Sequence, residues 1–177
     1  TEIIENAAVT PGTLTIMQTT PAAVEVQWDA HFRDGTLNSQ FFAPGANTFE
    51  PSAAVSVVKA GDGWATMTLD NAYTGTTAVS AGILQVGRLG VGDTGAAGIS
   101  GTRFTSAAST VVAGTGVIQG DAVIAGALRP GDEAGSLMGT LTVNGALTLS
   151  STAIATFQAQ RASYTAMNQV GYDNQNY

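Results

Sequence analysis

Thr115-Gly-Val117-Ile118-Gln-Gly120-Asp-Ala-Val123-Ile124-Ala-Gly126-Ala-Leu128-Arg129-Pro130-Gly131 runs through Asp132-Glu133-Ala134-Gly135 into Ser-Leu137-Met-Gly139-Thr-Leu141-Thr-Val143-Asn144-Gly145-Ala-Leu147-Thr-Leu149. Leu141 and Val143, and then Leu147 and Leu149, stand two apart, and Thr140, Thr142 and Thr148 fill the alternate places. Period two gives a strand one face of which is buried and the other solvated. Each strand is only three to five residues long, and glycine breaks the pattern at six-residue intervals, Gly120 to Gly126 and Gly139 to Gly145. Asn144-Gly145 also allows a tight hairpin. Strands so short make poor hairpins, whereas a coil that bends at each glycine pairs every turn with the turns above and below, about 4.8 Å away. The alternate aliphatics then line one continuous interior.

The same logic extends outward. Val55 to Gly87 alternates apolar and polar residues for most of its length, with glycines at 61, 63, 75, 82 and 87. Residues 88–101 are glycine-rich and read as an extended loop, after which Val111 and Val112 restart the strand pattern. Gly12-Thr-Leu14-Thr-Ile16 and Val24-Glu-Val26-Gln-Trp28 are strand-like, and Asp34-Gly35 signals a turn. Ala153 to Met167 reads as strand followed by loop, although its Ala and Gln also permit a helix. The expected fold is all-β, a β-solenoid. Residues 1–50 form irregular N-terminal rungs or a cap, and residues 51–177 form regular rungs, together one continuous domain.

Composition narrows the function classes. The 177 residues include six Lys and Arg against thirteen Asp and Glu, a net charge of −7, and no cysteine. Six cations cannot neutralise a run of phosphates, so nucleic acid is not an expected partner. Disulfide scaffolds and zinc–thiolate sites are excluded. Charged residues are 11% of the chain, too few for a helical bundle or coiled coil, which is rich in Glu and Lys. No apolar run reaches the roughly 18 residues of a membrane-spanning helix. The start, Thr1-Glu2-Ile3-Ile4-Glu5, has no basic region followed by an apolar core, and the missing Met points to processing or a fragment.

Candidate sites are sparse. His31 is the only histidine and lies near Asp29 and Asp34, as a triad would require, but no Gly-x-Ser-x-Gly elbow supplies a nucleophile. Glycoside cleavage would need two acids converging at about 5–9.5 Å. Here the acids sit singly beside glycines as turn residues, and Asp132-Glu133 is read the same way. The nonapeptide and EF-hand calcium patterns are missing, and no Gly-Lys-Ser/Thr follows the glycine-rich stretch. Neither a cofactor nor a metal is expected. Trp28, Phe32, Phe41, Phe42 and Phe49 form the densest aromatic cluster. They read as a plug over the N-terminal end of the core, with a carbohydrate-stacking patch as the alternative. With Tyr172 and Tyr177 they are the candidate cap or subunit-interface residues.

Val58-Lys59-Ala60-Gly61-Asp62-Gly63, followed by Leu69-Asp70-Asn71-Ala72-Tyr73-Thr74-Gly75-Thr76-Thr77-Ala78-Val79-Ser80-Ala81-Gly82-Ile83-Leu84, resembles the autotransporter-associated β-strand repeat. That repeat has the form Lys-x-Gly-x-Gly, then Leu-x-x-Asn-x-Tyr-x-Gly-x-Thr-x-Val-x-x-Gly-x-Leu. Two departures are that Asn71 follows Leu69 by two places rather than three, and that Trp64 stands where a small or polar residue is usual. Residues 114–149 are similar to the rungs closing autotransporter passengers, and Tyr172-Asp173 resembles the pair opening a further rung there. The resemblance implies a right-handed parallel β-helix secreted to the bacterial surface, without catalytic residues. About 20–25 residues per turn would give seven or eight rungs. Unpaired main chain at a solenoid's ends templates further pairing. The leading expectation is therefore a structural subunit that self-associates end to end into an extracellular filament. The alternatives are a fragment of a monomeric passenger acting as adhesin or stalk, with host or matrix glycans as partners, and a polysaccharide-active β-helix enzyme.

Overall fold

Alternation at this length yields many short strands. In a computed structural model, described over residues 2–6, 10–19, 25–34, 54–88, 96–98, 102–133 and 138–158, there are seventeen of them and no helix among the described residues. In chain order they are β1 Glu2–Glu5, β2 Gly12–Met17, β3 Glu25–Trp28, β4 Ala30–Arg33, β5 Val55–Ala60, β6 Trp64–Met67, β7 Thr77–Val79, β8 Ile83–Val86, β9 Ala96–Ala97, β10 Arg103–Ser106, β11 Val111–Gly114, β12 Val117–Ile118, β13 Asp121–Ile124, β14 Ala127–Pro130, β15 Thr142–Val143, β16 Leu147–Leu149 and β17 Ile154–Ala155.

Consecutive strands do not pair with each other. One six-stranded sheet has the order β2-β5-β7-β10-β13-β16 and another β3-β6-β8-β11-β14-β17, while β9-β12-β15 form a third and β1 pairs with β4. Every strand-to-strand pairing is parallel. This is the stacked coil of a β-solenoid. The hairpin reading of Asn144-Gly145 is replaced by a corner between β15 and β16, where Asn144 N donates to Ile118 O one turn earlier at 2.8 Å. Two residues inside the stretch read as a loop, Ala96 and Ala97, take a place in the third ladder opposite Val117 and Ile118. A two-residue strand among glycines carries no periodicity to read. At the other end Ile154–Ala155 is a strand, as its alternation predicts.

The turns are uneven. Residue 111 pairs with 127 and residue 12 with 55, so one turn takes as few as 16 residues and another as many as 43. Turns of unequal length still share a register, which fixes the inward-facing side chains into columns. One column runs Leu14, Val57, Thr77, Phe104, Ala122, Leu147, and its neighbour runs Ile16, Lys59, Val79, Ser106, Ile124, Leu149. The second sheet contributes Val26, Ala65, Leu84, Val112, Leu128 and Ala155. The mid-column aliphatics and Phe104 are buried in one cluster, each contributing about 1.5–3 kcal/mol for a large side chain.

The corners after β5 and β7 are as tight as main chain allows. Gly61 and Gly82 have φ of 74° and 69°. A Cβ on Gly61 would lie 2.3 Å from Gln18 O, and one on Gly82 2.4 Å from Gly63 O. Only glycine permits both the left-handed turn and that approach.

Candidate functional site

Asp29, His31, Phe32 and Asp34 line the corner of one turn, and Thr68, Asp70, Asn71 and Thr74 the corner of the next. They meet as a side-chain zipper. Thr68 Oγ1 donates to Asp29. His31 Nδ1 donates to Asp70 O at 2.6 Å, and Phe32 N donates to Asn71 Oδ1 at 2.7 Å. Asp34 Oδ1 accepts from Val55 N at 2.8 Å and from Thr74 N at 3.1 Å. The imidazole therefore faces a backbone carbonyl, and each flanking aspartate is committed to a threonine of the neighbouring turn. The triad geometry is not formed by these contacts.

A second polar group forms on the outer face of the second sheet, where Thr66 and Gln85 point away from the core-facing Ala65 and Leu84. Past β14 the chain turns back over this face. Gly114 and Gly131 exchange main-chain hydrogen bonds of 2.8 and 2.9 Å, which presents Asp132 and Glu133 to Gln85. Gln85 Nε2 donates to Asp132 Oδ1 at 3.2 Å, and Glu133 N donates to Gln85 Oε1 at 3.0 Å. Arg88 bridges the ends, 2.8 Å from Glu25 and 3.5 Å from Asp132. Glu25 also accepts from Thr66 Oγ1 at 2.7 Å. Two acids thus converge, but on a guanidinium, and Asp132 is 3% exposed. The reading of Asp132 as a solvated turn acid is corrected: the returning chain buries it.

The segment carrying the Lys-x-Gly-x-Gly pattern places its characteristic side chains inward. Val55, Val57 and Lys59 share a face, and Lys59 is fully buried between Ile16 and Val79. Its ammonium donates to Ala60 O, Gly61 O and Ala81 O at 3.0, 2.7 and 3.1 Å, closing the glycine corner. Burial lowers the Lys59 pKa, while nearby Asp62 acts to raise it. Asn71 is buried and Nδ2 donates to Leu69 O at 2.8 Å. The Tyr73 hydroxyl meets Thr77 Oγ1 at 2.5 Å inside the core, and burial pushes its pKa up to about 12. Val79 follows on the same buried face.

Residues 57–86 match the passenger-associated-transport-repeat. The match covers the span whose residues resemble an autotransporter passenger repeat. No curated protein and no solved structure matches the chain. The geometry explains what the repeat's positions do: Lys59 ties off a corner, Asn71 bridges two turns, and Tyr73, Thr77 and Val79 fill the interior. Trp64, which departs from the repeat's usual residue, lies buried on the outer face with its Nε1 unpartnered.

Of the residues expected to cap the core or meet a subunit, Trp28 and Phe32 are described. Their rings lie 6.4 Å apart with a 55° tilt, and Phe32 is fully buried. Phe41, Phe42, Phe49, Tyr172 and Tyr177 lie outside the described residues. Sequence reasoning passed over two features. One is the group around Arg88, whose members are far apart in the chain. The other is the end of the core at β16, where Leu147 and Leu149 are 45% and 46% exposed although Ala122 and Ile124, one turn earlier in the same columns, are fully buried. The register itself was the only signal that could have shown it.

Proposed function

We propose that the chain is a structural β-solenoid of the passenger type, secreted or held at a bacterial surface, that acts as a rod and performs no catalysis. One observation carries this: the repeat's polar residues spend their hydrogen bonds on the coil itself. Lys59 serves carbonyls, Asn71 serves main chain, and Tyr73 serves Thr77. The two acids that converge are paired with Arg88, which favours a scaffold over a polysaccharide-cleaving groove. Right-handed winding is the expected hand of parallel crossovers, and seven or eight turns is the count the sequence supports.

The open columns at β16 support end-to-end association of such rods. Joining at one end pairs two rods, and joining at both gives an extracellular filament. Negative-stain electron microscopy of the concentrated 177-residue chain tests this. Paired or serial rods are expected, and a field of single short rods at high concentration overturns the association. The passenger repeat favours a second reading, in which these rungs belong to a monomeric passenger acting as adhesin or stalk. Transfer of the chain to the cell surface when fused to a membrane-barrel translocator, with surface binding but no self-association, would favour it.

A further inference from the structure

The two ends of the coil differ. At the described N-terminal end the core is better covered: Ile16 of β2 and Phe32 of β4 are fully buried, and Ile4, Leu14 and Trp28 are partly buried around a cleft lined by Ile4, Leu14 and Val55, although β2 and β3 are the outermost described strands of their sheets. The strands there also carry charge, with Glu25 in β3 and Arg33 in β4. At the other end β15, β16 and β17 are the last described strands of the three-stranded sheet and the two six-stranded sheets. Leu147 and Leu149 stand half-exposed at the ends of their columns, with Ile154 and Phe157 exposed beside them. Residues 138–158 contain no Asp, Glu, Lys or Arg. Natural edge strands are usually protected from pairing by charge, proline or a bulge. This edge has neither charge nor proline.

We propose that this C-terminal rung is an interface for a second copy of the same chain, joined tail to tail about a two-fold axis. The inference rests on the end-to-end association proposed above and names its polarity. Charge argues for the second copy. A two-fold contact sets each patch against itself, which for a chain of net charge −7 is repulsive wherever the patch is acidic. The β16 end is uncharged and meets its own image without that cost. Head-to-tail joining would instead lay the open leucines on an end whose inward residues are better covered and whose strands carry the charged Glu25 and Arg33.

An axis through Thr148 makes the two β16 strands antiparallel and sets Leu147 of one copy opposite Leu149 of the other. Cross-strand pairs of this kind carry much of a sheet's specificity. Thr148 pairs inward with Val123 of the preceding turn, leaving the main-chain groups of Leu147 and Leu149 to the new ladder.

Sedimentation velocity on the full chain tests the polarity, with circular dichroism as the check on folding. A closed dimer is expected. Leu147→Lys alone, or Leu149→Glu alone, weakens it by about a hundredfold through like charges or unpaired charges at the joint. The double variant Leu147→Lys/Leu149→Glu restores it, because each new charge faces its opposite across the axis. Both residues are half-exposed, so the folded chain tolerates either change. Open-ended polymers, or dimers indifferent to these variants, overturn tail-to-tail joining while leaving end-to-end or lateral association standing. A chain that is monomeric at every concentration overturns both this inference and the association it rests on.

Discussion

Lys59 shows how a charge can belong to a core. Its stem fills a column between Ile16 and Val79 while the ammonium holds three carbonyls at the glycine corner, of which Ala60 O also accepts from Gln18 N at 3.0 Å. Lys59→Met keeps the packing and removes the ammonium from the Gly61 and Ala81 carbonyls, at about 1 kcal/mol each, while Ala60 O keeps Gln18 N. Urea unfolding should show a loss of about 2 kcal/mol. Tyr73 gives a pH signature. Between its ordinary value near 10 and about 12 the folded protein keeps a phenolic proton that the unfolded chain has released, so stability falls as pH rises through that window, by about 3 kcal/mol at most. Tyr73→Phe should abolish this alkaline step and cost about 1 kcal/mol at neutral pH for the lost hydrogen bond. Lys59 acts in the opposite sense. Its lowered pKa means the unfolded chain binds the extra proton just below 10.5, so its contribution rises with pH there and ends above 10.5.

Among elements, the returning chain at Gly131–Glu133 is the unusual one. Stacked repeats ordinarily touch only their neighbours, yet Glu25 of β3, Arg88 after β8 and Asp132 after β14 form one ion-paired chain across the sheet. Arg88→Ala leaves the buried Asp132 carboxylate without its guanidinium. Arg88 is partly exposed, so solvent screening holds the expected loss to about 1–3 kcal/mol. Hydrogen exchange at the Gly114 and Gly131 amides should speed up with it, while the Lys59 corner is unaffected. The corner zipper behaves separately: Asp34→Ala frees Val55 N and Thr74 N and should cost about 1–2 kcal/mol by thermal melting. How far these features were legible differs by element. Alternation in Val55-Ser-Val57-Val58-Lys59 already puts the lysine on the apolar face, so its burial could be read from parity. The strands from Val117 to Leu149 were readable for the same reason. Asp132 was not, because nothing local distinguishes a solvated Gly-Asp turn from one that folds back onto Gln85. Ala96–Ala97 was hidden by brevity, since two residues have no period.

For the whole molecule, the uneven turns matter less than the shared columns. Windings of different lengths can stack so long as their inward positions stay in register. Among the described residues, the columns run out in the open at β16 and β17. If two copies join there, folding is coupled to protein concentration. The melting temperature should rise with concentration for the native chain, and Leu147→Lys should remove that dependence, as differential scanning calorimetry can show. The ion-paired chain through Arg88 has a mechanical corollary. A rod at a cell surface is loaded by flow along its axis, and a coil tied only to its neighbours peels one winding at a time at low tension. The tie from Glu25 to Asp132 spans several windings at once, so the first yield on pulling should be a single large extension rather than a staircase of small ones.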